Sequence, residues 1–298
     1  MSVLAVFGPT ASGKSAVAQA IAARISAELV SADSMQLYRG LPILTNQAPA
    51  RLVGIWPLDH EASVGEYQQL AHAAVDEILA AGRTPVVVGG TGLYLRAALA
   101  ELELPPAPAP GARQRWEAAY DERGGEAVHA ELSALDPSTA AVVHPNDRRR
   151  VVRALELVEA GASLRPPSDR LWGAETRLPT LVAGLDVAKE VLEERISERT
   201  RAMFDAGVEA EVRRALAGPM SATARQVMGL REVAELPREE AIEALTARTR
   251  RYAAYQRKWL RRIPGVVMVA AEGPADEVAD AILEVARARQ LLPARRAG

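Results

Sequence analysis

The sequence predicts an α/β fold, a parallel sheet flanked by helices, with a helical subdomain inserted into it. Three observations carry this prediction. Short apolar runs at Val3–Phe7 and Pro85–Val88 each end in a glycine cluster, as buried parallel strands do. Stretches with helical apolar spacing alternate with these runs. A proline-rich segment at 105–110 interrupts the alternation, and apolar strand character returns only at Leu181–Leu185.

In chain order, Val3–Phe7 reads as the first strand and Lys14–Arg24 as the first helix. Glu28–Ser31 reads as a second strand, and Val64–Ala81 as a helix closed by Gly82. Pro85–Val88 is the third strand. A mostly helical stretch follows from about Arg113 to Gly161, ended by a second loop at Arg165–Ser168. Long helices are expected over Lys189–Ala217 and Glu239–Arg262, a last strand at Val266–Val269 and a last helix at 275–290. The arginine-rich C-terminus is expected to fray. The domain reading is therefore 1–104 for the first part of the core and 105–175 for the inserted helices. Residues 176–298 form the second part of the core, with late basic helices.

The 298 residues, 49% of them hydrophobic, suffice for one large α/β domain and a smaller insertion. A net charge of -2 means that any nucleic-acid binding must use a local patch. Only three lysines occur, Lys14, Lys189 and Lys258, and the first stands in a motif that requires one. With no cysteine, disulfides, thiolate metal sites and cysteine nucleophiles are excluded. The start lacks the features of a signal peptide, and no uncharged apolar run reaches membrane-spanning length. The expectation is a cytoplasmic chain without a membrane segment.

Gly8-Pro9-Thr10-Ala11-Ser12-Gly13-Lys14-Ser15 fits G-x4-G-K-[ST] between a strand and a helix. Its main-chain amides can curl around an anion at the positive end of the helix. Lys14 supplies a point charge, and the Ser15 hydroxyl can hold Mg2+. The plainer reading is an ordinary glycine-rich turn, but the full pattern arises by chance in roughly one chain in a thousand. The fold expectation sharpens to P-loop NTPase-like. The motif requires a polyphosphate without saying whether it is ATP, GTP or a prenyl diphosphate.

Residues just past the second and third strands should face the same crevice. Asp33 can there bind Mg2+ or accept a proton, or else cap a turn with Ser34. Gln36 can read a base edge, and Tyr38 and Arg39 can stack or meet phosphate. The Thr91 hydroxyl, after Gly89-Gly90, can donate to a bridging phosphate oxygen, cap the next helix, or do both. Late in the chain, Arg248, Arg250, Arg251, Arg257, Lys258, Arg261 and Arg262 interleave with Tyr252, Tyr255 and Trp259. That pattern fits RNA and an ordinary amphipathic helix equally well.

Together these segments resemble the bacterial tRNA dimethylallyltransferases, also called tRNA isopentenyltransferases. The resemblance rests on the Gly8–Ser15 loop, on Asp33-Ser34-Met35-Gln36-Leu37-Tyr38-Arg39-Gly40 and on Val88-Gly89-Gly90-Thr91-Gly92-Leu93-Tyr94. It continues through His144-Pro145-Asn146-Asp147 with Arg150 and Arg153, Arg195-Ile196 to Gly207, and Ala224-Arg225-Gln226-Val227-Met228-Gly229. It implies dimethylallyl diphosphate as donor, held by Gly8, Thr10, Ala11, Ser12, Gly13, Lys14 and Ser15 with Mg2+ near Ser15. Asp33 would be the general base toward N6 of adenine 37, and Thr91 and Arg225 would steady the leaving oxygens. Contacts to the tRNA anticodon stem-loop would come from Asp33, Ser34, Met35, Gln36, Thr91, Arg113, Asn146, Asp147, Arg148, Arg149 and Arg150. The chain would act as a monomer. It departs from the family at Leu41–Gln47, where a lysine is missing, at Leu230, and at Ala254-Tyr255. The rival reading is a P-loop small-molecule kinase using ATP. A further alternative is an RNA-binding relative that has lost transfer.

Overall fold

A computed structural model describes residues 2–104, 109–164, 171 and 173–293. The chain divides into two compact units, Met1–Glu101 with Ala174–Gly298, and Leu102–Gly173. The first unit holds a five-stranded sheet of β1 (Val3–Phe7), β2 (Ala27–Ser31), β3 (Thr84–Gly89), β4 (Thr180–Asp186) and β5 (Val267–Ala270). The order is β2-β3-β1-β4-β5, and every pairing is parallel. All carboxyl ends thus reach one edge, and β1 is buried along its whole length. Leu4 and Val6 of β1 pack with Val17, Ala18 and Ile21 of α1 (Lys14–Arg24) and with Ile282 and Leu283 near the C-terminus. Val3, Ala5 and Phe7, which point the other way, are buried as well, and a strand covered on both faces is apolar at successive positions rather than alternating.

The helices of this unit are α1, α2 (Val64–Ala80) and α3 (Gly92–Leu99), then α8 (Lys189–Asp205) and α9 (Val208–Leu216). They continue with α10 (Leu230–Glu235), α11 (Arg238–Leu260) and α12 (Ala275–Ala288). The other unit is built of α4 (Ala112–Arg123), α5 (Gly125–Leu135), α6 (Pro137–Ala140) and α7 (Arg148–Glu159). Its small core gathers Val128, Leu132, Val143, Val151 and Leu155. The helical stretch expected from Arg113 to Gly161 is therefore four helices, with Gly124 and Pro137 marking two of the breaks. The Arg165–Ser168 loop, part of the proline-rich segment and the last five residues lie outside the described residues.

One long helix was expected over Lys189–Ala217, and the structure corrects it to two. The break falls at Gly207, whose φ of 90° lies in the left-handed region and whose N–H donates to the Phe204 carbonyl at 3.1 Å. The reorientation sends Glu211 of α9 into the interior, where it is 2% exposed. Its carboxylate accepts from the amides of Ile43 (2.9 Å) and Leu44 (2.8 Å). The stretch that departs from the family, Leu41–Gln47, is thus a turn pinned from below by a buried carboxylate.

Gly89 at the end of β3 answers a close approach. A Cβ there would stand 2.2 Å from the Ala32 carbonyl oxygen and 2.5 Å from its carbon. Ala32 is itself tied to β3, its N–H donating to Val88 O at 2.8 Å, so this backbone cannot give way cheaply. We expect Gly89→Ala to destabilise the fold by about 3 kcal/mol or more, read as a lowered urea midpoint. A change below about 1 kcal/mol would mean that β2 can slide away.

Candidate active site

Three strand ends build the site. The loop after β1 turns on Ala11 and Gly13, both left-handed with φ of 63° and 85°. The loop so formed borders a cavity of about 570 Å³ at the start of α1. Thr10, Ala11, Gly13, Lys14 and Ser15 line that cavity, and Asp33, beyond the end of β2, lines it too. The phosphate loop and the carboxylate therefore share one chamber. Ser12 is buried, and its hydroxyl has no hydrogen-bond partner.

The loop is gripped from two distant helices. The Gln256 amide of α11 accepts from Thr10 N–H at 2.7 Å and donates to Gly90 O at 2.9 Å. Arg199 of α8 donates from Nη2 to the Thr10 hydroxyl at 2.6 Å. Both residues line the cavity, and the sequence reading singled out neither for a role. Gln256 could have been noticed as the one polar residue on the buried stripe Ala253–Leu260 of a basic helix. Arg199 carries no local signal, because α8 and α11 are rich in arginine.

Asp33 has two attachments. Its Oδ1 accepts from Met35 N–H at 3.0 Å, so the turn-capping role is real. Burial pushes the carboxyl above its ordinary value, opposed by the Met35 bond and by the Lys14 and Arg199 charges. A raised carboxylate is a better proton acceptor than an exposed one. Thr91 opens α3 without capping it by its side chain. Its hydroxyl instead lies 3.5 Å from Ser34 N and 3.3 Å from the Tyr252 hydroxyl. It thereby joins the strand end after β3 to the Asp33 segment and to α11.

Burial lowers the Lys14 ammonium from 10.5 to about 8, with Asp33 opposing and Arg199 reinforcing the shift. Lys14 Nζ donates to Pro9 O at 2.7 Å. Between about 8 and 10.5 the folded side chain is neutral while the unfolded chain is still protonated, so stability rises with pH across that window. Affinity for a polyphosphate moves the other way. We expect inorganic diphosphate, titrated calorimetrically, to bind more weakly as pH rises above about 8, and a flat profile would remove Lys14 from the seat.

Other expected residues are placed differently. The Gln36 amide lines the cavity but is engaged, donating to Thr45 O and Asn46 O at 3.3 and 3.0 Å. The stacking role considered for Tyr38 is corrected. Its ring is 2% exposed, and its hydroxyl bonds Thr223 Oγ1 at 2.6 Å. Arg39 donates to the Ile55 carbonyl. Arg225 sits exposed on a 3₁₀ turn, Ala224–Gln226, and is not part of the cavity lining, whereas Met228 is. In the helical unit, Asp147 caps α7 through Arg150 N–H. Arg148 pairs with Asp121 and Glu117, and Arg113 with the fully buried Glu156. Asn146, Arg149 and Arg150 are exposed. On α11 the aromatics divide: Tyr252 lines the cavity, Trp259 packs against Gly92, and Tyr255 is 54% exposed.

The oxygen donors suit a Mg2+ that arrives with phosphate. Ser15 and Asp33 face the cavity, and no group of three or more carboxylate or histidine ligands exists among the described residues. Mg2+ commonly takes one or two protein oxygens and completes its shell with phosphates and water. No helix among the described residues is long and apolar enough to cross a membrane.

Comparison with known proteins fits this arrangement. The sequence profile of IPP transferase matches residues 36–263, and that of isopentenyl transferase matches residues 1–50. The chain is 41% identical over 279 residues to a tRNA dimethylallyltransferase of Streptomyces coelicolor, covering 89% of this chain and 88% of the other. It is 39% identical to one of Corynebacterium jeikeium, covering 91% and 92%. A crystal structure of the tRNA isopentenylpyrophosphate transferase of Bacillus halodurans superposes with a TM-score of 0.70 at 31% identity, covering 97% of each chain. With the Gly8–Ser15 loop and a half-buried carboxylate opening on one chamber of a parallel sheet, the chain belongs to the IPP transferase family, the tRNA dimethylallyltransferases.

Proposed function

We propose that the chain transfers a dimethylallyl group from dimethylallyl diphosphate to N6 of adenine 37 in tRNA and releases diphosphate. The observation that carries the reading is the shared cavity, lined both by the Thr10–Ser15 loop with Lys14 and by the half-buried Asp33. The diphosphate lies on Gly8, Thr10, Ala11, Ser12, Gly13, Lys14 and Ser15. Asp33 takes the proton of the adenine amine as N6 bonds to C1 of the allyl group. The C1–O bond breaks, and its electron pair leaves with the diphosphate. An adenine amine is a weak nucleophile, so alignment and neutralisation of the leaving group supply most of the acceleration.

Mg2+ bound through Ser15 and the phosphates would add positive charge at the leaving oxygens. Thr91 donates to those oxygens from the end of β3. Arg225 joins them only if the exposed turn that carries it closes toward the cavity. Leu44, Met203, Met228 and Leu245 line the chamber and give the five-carbon group an apolar wall. Ser34, Met35 and Gln36 meet the flipped base, which must leave its loop to be reached. Asn146–Arg150 and Arg113 belong to the tRNA-binding surface of the helical unit. The chain acts as a monomer on the anticodon stem-loop, in the cytoplasm.

Purified protein incubated with radiolabelled dimethylallyl diphosphate and unmodified tRNA is expected to place label in the tRNA. ATP consumption without label would instead support the kinase. Binding of tRNA with neither would support a relative that has lost transfer.

A further inference from the structure

We infer that Arg199 of α8 contacts the diphosphate directly, as a second side-chain cation facing Lys14 across the cavity. The inference deepens the proposed donor site and rests on that reading. Three observations support it. Arg199 lines the same cavity as Lys14 and Asp33. Its Nε is buried without a hydrogen-bond partner, while Nη2 alone is engaged, on the Thr10 hydroxyl. An arginine carries five N–H donors in a planar fork, and leaving one buried and unsatisfied costs about 1–3 kcal/mol. An oxygen of a ligand in the cavity would give that donor the partner the protein does not supply.

The charge balance points the same way. The ionisable lining is Lys14, Arg195 and Arg199 against Asp33 and Glu198, one net positive charge before any ligand enters. No ion pair within 4.0 Å joins Arg199 to Asp33 among the described residues, so the guanidinium is not spent on the carboxylate. Burial weakens its hold on the proton, and Asp33 restores part of it. A planar fork fits a phosphate through two parallel N–H donors, which a lysine cannot do. It also stands on the loop itself, through Thr10, where a leaving diphosphate gathers charge. Arg225, exposed on its turn, is not part of the lining, whereas Arg199 is.

The competing role is that of a positioning strut for Thr10, and the test separates the two. Inorganic diphosphate and orthophosphate are titrated calorimetrically into wild-type protein, Arg199→Gln, Arg199→Lys and Lys14→Ala over a range of KCl concentrations. Direct contact predicts that Arg199→Gln weakens diphosphate by roughly 10- to 100-fold and makes its salt dependence shallower. Weaker binding with an unchanged salt dependence would leave only the strut, and unchanged binding would overturn the inference outright.

Should Arg199→Gln fail to fold, Arg199→Lys carries the test. Loss of the fork then weakens diphosphate several-fold more than orthophosphate, and an unchanged ratio of the two overturns the inference. Lys14→Ala tells the two levels apart. If it too leaves diphosphate binding intact, the phosphate seat is wrong and the inference falls with it. If it weakens binding while Arg199→Gln does not, only the inference falls.

Discussion

Asp33→Asn is expected to slow prenyl transfer by roughly 10²- to 10⁴-fold while leaving diphosphate affinity equal to wild type or slightly better. The substitution is nearly isosteric, and the amide oxygen can still accept from Met35 N–H, so the turn after β2 should keep its shape. What disappears is the proton acceptor. Diphosphate does not suffer, because the lost charge repelled it. The folded carboxyl titrates above its ordinary value of 3.8, so the wild type loses stability as pH rises through that interval, and the variant escapes the loss. Single-turnover transfer of labelled dimethylallyl diphosphate to tRNA, beside calorimetric titration of diphosphate, separates the effects. If transfer and diphosphate binding fall by equal factors, Asp33 shapes the site and is not the base. Lost transfer with intact binding, on a chain at least as stable as the wild type, is a signature that damage to the fold cannot imitate.

Lys14→Ala is expected to weaken diphosphate binding by about 2–3 kcal/mol, roughly 30- to 150-fold. The ammonium is held against Pro9 O at the mouth of the loop, and its charge is the contribution that main-chain amides cannot replace. Its loss also removes the stronger of the two cationic influences on Asp33, so the carboxyl should rise further and transfer should fall with binding. Calorimetry with inorganic diphosphate at neutral pH reads the first effect. An affinity within a factor of about two of wild type would mean that the loop binds no phosphate.

The centre of the sheet was legible because β1 and β3 are apolar at consecutive positions and run straight into glycine. β1, β2, β3 and β4 were each placed to within a residue at either end. The loop was legible for the same local reason. The break at Gly207 was readable in principle, since glycine after a helical stretch is a stop signal, but flanking helical residues on both sides masked it. The grip on the loop was not readable. Thr10 meets a side chain 246 residues away and another 189 residues away, and no local pattern pairs glutamine or arginine with a partner at such a distance. The same limit explains Tyr38, an aromatic in a promising segment that the tertiary structure buries on Thr223. It also bears on Arg225, whose sequence neighbours do not reveal that it stands exposed on the Ala224–Gln226 turn, outside the cavity lining.

That grip bears on how the protein is made. A ribosome that has finished β3 has already released the complete Gly8–Ser15 motif, yet the glutamine and the arginine that hold Thr10 are still untranslated. The early fragment carries the consensus and none of the clamp, so competence to seat a phosphate should arrive only when α11 docks, close to the end of synthesis. The nascent chain should therefore bind nucleotides only weakly before that point.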